Sequence, residues 1–239
     1  MRIDIVTLFP AMFEGFVNSS IIKRAIENNY VEVNIVDLRE YTTNKHKKVD
    51  DTPYGGGAGM VLTCQPVFDC VKALRKEDTK VLMMTPQGKT YKQQTAYEFA
   101  KMTHIIILCG HYEGFDERIR TLVDYEVSLG DYVLTGGETA SMVIADSIIR
   151  LIDGVIEKES HENDSFSNGL LEYPQYTKPR VYEGLEVPEV LCNGNHKEIA
   201  IWKHKESLRK TYFKRPDLLE NYSLSEQEAK WIEEFKNKE

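Results

Sequence analysis

The amino-acid sequence predicts an α/β fold built on a parallel sheet. Short apolar runs alternate with longer stretches that have helical spacing, and the runs are almost continuously apolar. Strands of this kind are typical of a parallel sheet that is covered by helices on both faces. Ligands bind such sheets beyond the carboxyl ends of the strands, so the loops that follow strands are the expected place for chemistry.

The predicted elements follow one another in order through the first part of the chain. Strands are expected at RIDIVTLF (2–9), VEVNIVDL (31–38), KVLMMTP (80–86) and HIIILCG (104–110). Helices are expected at SSIIKRAIENN (19–29), QPVFDCVKALRK (65–76), KTYKQQTAYEFAKM (89–102), EGFDERIRTLVD (113–124) and TASMVIADSIIRLIDGV (139–155). The regular alternation of the two kinds of element supports the α/β prediction.

A change of composition indicates a second, smaller domain. The stretch IEKESHENDSFSNG (156–169) is polar and charged, as a linker is. Proline-punctuated extended chain follows, then a basic helix that starts near Asn195 and a last helix with Ser225 and Glu228 in capping-box spacing. We therefore predict a first domain over 1–156, a flexible linker over 157–169 and a mostly helical domain over 170–239.

The charge balance excludes a protein that coats nucleic acid indiscriminately. The chain carries 38 acidic and 30 basic side chains, a net charge of −8. One segment is basic although the chain as a whole is acidic: HKEIAIWKHKESLRKTYFKR (196–215) contains seven Lys and Arg but only two Glu. Such a local patch attracts phosphates whatever the total charge is, although a solvated helix face is an alternative interpretation.

Several classes of protein are disfavoured by the remaining composition. The four cysteines form no CxxC pair, and the six histidines form no HxxxH pair, so neither a disulfide framework nor a structural metal site is expected. No apolar run approaches the ~20 residues of a membrane span, and the start does not resemble a signal peptide. We expect a cytoplasmic protein that does not contact membranes.

The segment DDTPYGGGAGM (50–60) places four glycines behind a proline and a tyrosine. It does not match a nucleoside-triphosphate phosphate loop, because Met60 and Val61 stand where Lys and Ser or Thr would be needed. It also lacks the glycine spacing of a dinucleotide-binding turn. Two interpretations remain open: a flexible surface loop, or a wall that something approaches closely, with Tyr54 as a stacking face.

Three loops that follow or join predicted strands contain residues suited to a flat ligand. TPQG (85–88) offers backbone amides, and GHYEGFDER (110–118) is expected to start a helix whose free N–H groups face a ligand. LGDYVLTGGE (129–138) frames three apolar residues with glycines, which suits an aromatic ring held against the backbone. Each loop alone resembles an ordinary turn.

Taken together, these motifs resemble one family. PYGGGAGM, TPQG, CGHYEGFDERI, LGDYVLTGGE, NDSFSNGLLEYPQYTKP, VPEVLCNGNHKEIAIW and KRPDLL occur in the order seen in bacterial tRNA (guanine-N1)-methyltransferases, and the resemblance covers nearly the whole chain. It implies methylation of guanosine 37 in tRNA by a SPOUT-class enzyme. It also implies a C-terminal trefoil knot in the sheet domain, which pattern reasoning would not propose, because chain connections are normally unknotted.

The resemblance also implies the cofactor site. S-adenosylmethionine is expected to lie among the three loops named above. The implied cofactor-binding residues are Pro86, Gln87, Gly88, Gly110, Tyr112, Glu113, Leu129, Gly130, Asp131, Tyr132, Val133, Leu134, Gly136 and Gly137. Magnesium is a second cofactor expected from the family, with Glu113 and Asp131 as candidate carboxylates.

The catalytic pair rests on the resemblance too. Asp164 matches the family's general base and Arg150 matches the arginine that binds O6 of the guanine. Removing the N1 proton of guanine requires a base and a group that stabilises charge on O6. Without the resemblance, Asp164 would be interpreted as a solvated linker residue and Arg150 as a residue that complements its helix dipole.

The implied partners are tRNA and a second copy of the chain. The glycine-rich segment (Tyr54, Gly55, Gly56 and Gly57) is expected to border the entering guanine, and Lys203, Lys205, Arg209, Lys210, Lys214 and Arg215 are expected to form one face for tRNA phosphates. The resemblance also implies that the protein is an obligate homodimer with shared active sites. Two alternatives remain: another SPOUT enzyme with a different RNA target, and a catalytically silent RNA-binding protein.

Overall fold

The computed structural model describes residues 1–157 and 164–237. The chain divides into two compact units, Met1–Lys158 and Glu159–Glu239. The predicted linker (157–169) falls at this division, and its residues 158–163 lie outside the described part of the chain. In the part that is described, no helix has the length and apolar character needed to span a membrane.

The first unit is built on a five-stranded parallel sheet, which confirms the predicted α/β class. The strands are β1 (Arg2–Thr7), β2 (Glu32–Asp37), β5 (Thr79–Thr90), β6 (His104–Cys109) and β7 (Tyr125–Ser128), and their order is β2-β1-β6-β5-β7. A separate antiparallel pair, β3 (Asp50–Asp51) and β4 (Val61–Leu62), forms the base of the glycine-rich segment. The carboxyl ends of the five parallel strands therefore lie at one edge.

Helices cover both faces of this sheet. They are α1 (Glu14–Val17), α2 (Ser20–Glu27), α3 (Cys64–Leu74), α4 (Gln93–Phe99) and α5 (Glu138–Ile149), with 3-10 helices at Pro10–Phe13, Leu38–Tyr41 and Glu117–Leu122. One apolar cluster packs Ile105 and Ile107 against α2, α4 and α5, and a second packs Ile106 and Leu108 against α3. The strict alternation along β6 divides its side chains between the two layers, as a pleated strand requires.

Four predicted elements differ from the observed ones, and the first is the helix predicted at 139–155, which ends at Ile149. The strand predicted at 80–86 continues to Thr90, so TPQG lies inside β5 and the following helix is shorter than 89–102. The helix predicted at 113–124 is only the 3-10 helix Glu117–Leu122, because Gly114 has a positive φ and Asp116 caps the backbone at Arg118. The short, charged strand β7 was not predicted.

The second unit holds a small hairpin and two longer helices in its described part. The hairpin joins β8 (Val181–Tyr182) to β9 (Leu185–Glu186), and the helices are α6 (His196–Lys214) and α7 (Glu226–Lys236), with 3-10 helices at Glu189–Leu191 and Pro216–Leu219. The Asn195 side chain accepts from the N–H groups of Lys197 and Glu198, so α6 starts where the sequence predicted. Ser225 and Glu228 form the predicted capping box.

Glu228 does more than cap its helix. The residue is only 5% exposed, and its carboxylate accepts from Tyr222 Oη (2.8 Å) and Ser225 N (2.7 Å) and lies 2.9 Å from His204 Nε2. Burial alone would raise the pKa of Glu228. The hydrogen bonds from Ser225, Tyr222 and His204 outweigh that effect and lower the pKa to about 2. The charged carboxylate therefore stabilises α6, α7 and the segment between them.

Replacing Glu228 by Gln should destabilise the second unit at neutral pH. A carboxylate whose pKa falls from 4.5 to about 2 on folding contributes about 3 kcal/mol, present above pH 4.5 and lost as the pH falls towards 2. Both tryptophans, Trp202 and Trp231, lie in this unit, so their fluorescence during urea unfolding reports on it. The difference between wild type and E228Q should shrink between pH 4.5 and pH 2.

The exposed Glu226 in the same helical turn provides the control. E226Q should leave the unfolding midpoint almost unchanged at every pH. A difference between E228Q and wild type that stays constant down to pH 2 would contradict the assigned role of the Glu228 charge.

Candidate active site

A cavity of about 430 Å³ lies at the carboxyl ends of β5, β6 and β7. The predicted cofactor residues that line it are Pro86, Gln87, Gly110, Tyr112, Glu113, Leu129, Tyr132, Val133, Leu134, Gly136 and Gly137. Gly88, Gly130 and Asp131 do not line it. The three loops selected from the sequence thus converge on one cavity, at the edge of the sheet where parallel strands bind ligands.

The first wall of the cavity is a bulge inside β5. Met84 and Lys89 both pair with Val127 of β7, so residues 85–88 leave the ladder and then rejoin it. These four residues therefore have no paired residue in β7, and within the bulge the Gln87 N–H donates to Thr85 Oγ1 at 3.3 Å. A bulge next to a cavity presents backbone groups to a ligand while the strand continues beyond it.

The second wall is the loop that follows β6. Tyr112 adopts a left-handed φ of 59°, and Glu113 N donates to Met60 O at 2.9 Å. Leu62 N in turn donates to Gly114 O at 2.9 Å, so the loop is joined to the base of the glycine-rich segment. The N–H of Glu113 is therefore already hydrogen-bonded to Met60. The prediction of a helix start with free N–H groups is wrong at this position.

The third wall joins β7 to α5. It places Tyr132, Val133 and Leu134 at the surface, with Val133 83% exposed. Large apolar side chains at this exposure are unusual for a surface without a ligand, and they line the cavity. They provide an apolar face on which a flat ring can pack.

The second and third walls are joined at Gly137. Its N–H donates to Gly110 O at 2.7 Å, and a Cβ on Gly137 would lie 2.8 Å from both Cys109 Cα and Gly110 N. His111 and Gly136 also form an isolated antiparallel bridge. The start of α5 therefore rests directly on the backbone at the end of β6, and only glycine leaves room for this contact.

A buried carboxylate lies just beyond this junction. Glu138 is 1% exposed at the first position of α5, where the helix dipole favours negative charge. Its Oε1 accepts from Thr7 Oγ1 at 2.8 Å, and its Oε2 lies 3.9 Å from His111 Nδ1. That imidazole nitrogen is buried and has no hydrogen-bond partner among the described residues. Neither Glu138 nor His111 was selected from the sequence, where each looked like an ordinary loop residue.

The predicted catalytic residues lie outside this cavity. Arg150 is the C-terminal cap of α5, and α5 begins at the cavity with Glu138. The 12 residues of α5 span about 18 Å at 1.5 Å per residue, so Arg150 is at the far end of the helix from its own chain's cavity. Asp164 belongs to the second unit, where its carbonyl accepts from Ser167 N at 3.2 Å.

The glycine-rich segment forms the exposed tip between β3 and β4. Gly55, Gly56 and Gly57 have φ values of 86°, 79° and 125°, and Tyr54 beside them is fully exposed at 101%. Gly59 lies against the Glu113 side chain, which occupies the space a Cβ would need. The segment thus combines both interpretations from the sequence: a solvated tip at Tyr54 and a close contact with a cavity loop at Gly59.

The basic residues of the second unit do not form the single face that was predicted. Lys203, Lys210 and Lys214 lie on one side of α6, and Lys205 and Arg209 lie on the opposite side, because 3.6 residues complete a turn. Most are engaged within the unit: Lys203 lies over the Tyr173 ring, Lys205 pairs with Glu234, Arg209 with Glu206, Lys210 with Glu172 O and Arg215 with Asp217.

No magnesium site is assembled by the described residues. In residues 1–157 and 164–237, no three His, Cys, Asp or Glu side chains are arranged to hold a metal ion. The Glu113 side chain lies against Gly59, and Asp131 does not line the cavity. Magnesium prefers several oxygen ligands in octahedral geometry, which this arrangement does not provide.

The fold and the cavity define the class of the protein: an α/β domain with a cavity for a small ligand at the carboxyl edge of a parallel sheet. The model of the family tRNA (Guanine-1)-methyltransferase TrmD matches residues 1–221. The chain is also 58% identical over 241 residues to the curated tRNA (guanine-N(1)-)-methyltransferases of Bacillus cereus (strain AH820), Bacillus anthracis (strain A0248) and Bacillus thuringiensis subsp. konkukian (strain 97-27), covering 99% of this chain and of each relative. The chain belongs to the tRNA (guanine-1)-methyltransferase family, which confirms the resemblance in its motifs.

Replacing Gly137 by Ala should destabilise the first unit by about 1–3 kcal/mol, the usual cost of overpacking. The added Cβ meets backbone atoms at 2.8 Å, and backbone cannot move aside as a flexible side chain can. Guanidinium unfolding followed by far-UV circular dichroism measures the change. Gly15 in α1 is the matched control, because a Cβ there meets nothing within 4 Å. An unfolding midpoint for G137A equal to that of G15A would contradict the close approach.

Proposed function

We propose that this protein transfers a methyl group from S-adenosylmethionine to N1 of guanosine 37 in tRNA. Membership of the tRNA (guanine-1)-methyltransferase family supports the reaction, and it is the observation that carries the proposal. The cavity at the sheet edge supports the binding of a nucleoside-containing methyl donor, because exposed apolar side chains meet there with strand residues that have no partner in β7. A tRNA substrate implies that the protein works in the cytoplasm.

The cofactor would be held by the three walls of the cavity. The apolar face at Tyr132, Val133 and Leu134 suits the adenine ring, and the backbone of the bulge at 85–88 suits its polar edge. When bound, S-adenosylmethionine supplies a methyl group on a positively charged sulfur. The residues of this chain then have two tasks: to place guanine N1 in line with that methyl group, and to manage the N1 proton.

Asp164 is the proposed base and Arg150 the proposed partner of O6. As N1 loses its proton to the Asp164 carboxylate, negative charge spreads onto O6, where a guanidinium stabilises it. Asp164 is half-buried in the structure, and a nucleotide bound beside it would exclude further water from its carboxylate. No step is assigned to magnesium, because the described residues do not provide its ligands.

The position of Arg150 supports a homodimer with shared active sites. About 15 Å of helix separates this residue from Ala140, which lines the cavity of its own chain, so we expect Arg150 to be too far away to contact a guanine held there. A second copy of the chain, related by two-fold symmetry, would supply Arg150 and Asp164 to that cavity. Each active site of the dimer would then contain the cofactor loops of one protomer and the catalytic pair of its partner.

The chain path supports the SPOUT trefoil knot. After β6 the chain crosses to β7 on the outer side of β5, and the next loop returns across the end of β5 to bring Gly137 onto Gly110. The returning loop contributes Leu129, Tyr132, Val133 and Leu134 to the lining of the cavity. We propose that the crossing is the knot of the family and that it holds the three cavity walls together.

The tRNA would contact both units. The exposed Tyr54, with Gly55, Gly56 and Gly57, offers an aromatic face that can stack on an unpaired base near the target. In the second unit, Lys203, Lys210 and Lys214 share one side of α6 and are the proposed phosphate contacts, with Lys205, Arg209 and Arg215 exchanging their present acidic partners for phosphates.

Methyl transfer from labelled S-adenosylmethionine to unmodified tRNA tests the reaction. Wild type should methylate the tRNA, and D164N should be about 10²–10⁴ times slower, the usual contribution of a general base. A tRNA with adenosine at position 37 should accept no methyl group. Transfer that persists with the altered tRNA would indicate another RNA target, and a folded wild-type protein that transfers nothing would favour the silent RNA-binding protein.

Mixed dimers test the shared active sites. D164A removes the base, and L134D places a charge in the apolar cavity wall, so each homodimer should be inactive. A dimer purified through two different tags, one on each variant, should recover about half of the wild-type activity, because one of its two sites is intact. Mixed dimers without activity would show that cavity and base belong to the same chain.

A further inference from the structure

The bulge at 85–88 needs anchors, because it has left the β5–β7 ladder. Gly88 provides the first. A Cβ at this residue would overlap the backbone of Glu126 and Val127, so the end of the bulge is packed directly onto β7. This contact fixes where the bulge rejoins the strand, but it leaves the side chain at its tip, Gln87, to be positioned by something else.

Arg120 holds that tip. Its guanidinium donates from Nη2 to Gln87 Oε1 at 2.5 Å, from Nη1 to Glu126 Oε2 and from Nε to Glu117 Oε2 at 2.8 Å. Glu126 lies on the same strand that supports Gly88, so Arg120 connects the tip of the bulge to the element beneath it. The side chain of Arg120 is 24% exposed, and Arg120, Gln87 and Glu117 all line the cavity.

The contact determines which end of the Gln87 amide remains for a ligand. A primary amide has one acceptor oxygen and two N–H donors. Because Arg120 has only donors, it engages Oε1 and leaves the nitrogen of Gln87 to donate. A planar guanidinium held by two carboxylates is a rigid partner, since its hydrogen bonds fix both its position and its plane.

We propose that Gln87 donates a hydrogen bond to the bound methyl donor and that Arg120 is the positioning residue that sets the orientation of Gln87. The acceptor on the ligand would be a ring nitrogen or an oxygen of its nucleoside part. The inference rests on the proposed function, because it requires the methyl donor to bind in this cavity.

Calorimetric titration with S-adenosylhomocysteine, together with steady-state kinetics, tests the proposal. R120M and Q87A should each weaken the binding of S-adenosylhomocysteine about tenfold. A tenfold change corresponds to about 1.4 kcal/mol, which is typical of the loss of one hydrogen bond. Both variants should raise KM for the methyl donor and leave kcat at saturation unchanged. In the double variant R120M/Q87A the loss should equal that of Q87A alone, because Arg120 acts through Gln87.

The variants Q87E and R118M distinguish a positioning role of Arg120 from a purely structural role. Q87E keeps an acceptor for Arg120 but has no N–H donor, so it should bind S-adenosylhomocysteine as weakly as Q87A while its melting temperature stays at the wild-type value. Arg118 lies in the same 3-10 helix, pairs with Asp116 and does not line the cavity. R118M should bind S-adenosylhomocysteine as wild type does.

Three results would overturn the inference. Wild-type affinity in Q87E would exclude the amide donor, and additive losses in R120M/Q87A would exclude action through Gln87. A lower melting temperature and lower kcat in R120M, with KM unchanged, would make Arg120 a structural ion pair. Failure of the proposed function looks different, because the wild-type protein itself would then bind no S-adenosylhomocysteine.

Discussion

The close approach of α5 to the end of β6 is the contact on which the rest of the cavity depends. At Gly137 the first turn of the helix rests on the backbone of Cys109 and Gly110, with no side chain between them. This contact places Gly136 beside His111 and brings the Glu138 carboxylate to Thr7 at the end of β1. A helix packed at the usual distance from the sheet would leave the loops around the cavity without a common support.

Each wall of the cavity is irregular backbone that a neighbouring element holds in place. The bulge in β5 rests on β7, the loop after β6 is tied to Met60 and Leu62, and the loop before α5 is closed by the Gly137–Gly110 hydrogen bond. Irregular backbone exposes N–H and C=O groups that regular strands consume. Support from neighbours makes these groups available at fixed positions, which is the preorganisation that specific ligand binding requires.

The parts of the structure that could be predicted from sequence are those with a local cause. Apolar runs predicted four of the five parallel strands, and Asn195, Ser225 and Glu228 predicted both helix starts in the second unit. The rest has non-local causes. Pro86 and Gly88 look like the end of a strand, yet β5 continues because β7 pairs with it again at Lys89. Likewise, the contact of Arg120 with Gln87 and that of Glu138 with Thr7 join residues distant in sequence, which no local pattern indicates.

The basic helix of the second unit carries its own counterions. Lys205, Arg209 and Arg215 are paired with tethered carboxylates from Glu234, Glu206 and Asp217. An RNA phosphate that binds one of these side chains would have to replace a carboxylate that is part of the same chain and cannot diffuse away. Each such contact exchanges one ion pair for another, so the net gain in electrostatic free energy is small. A polyanion that reaches only one or two of these residues gains little. These pairs weaken the field of the helix, and an anion that reaches one of them would gain less than one that reaches all three.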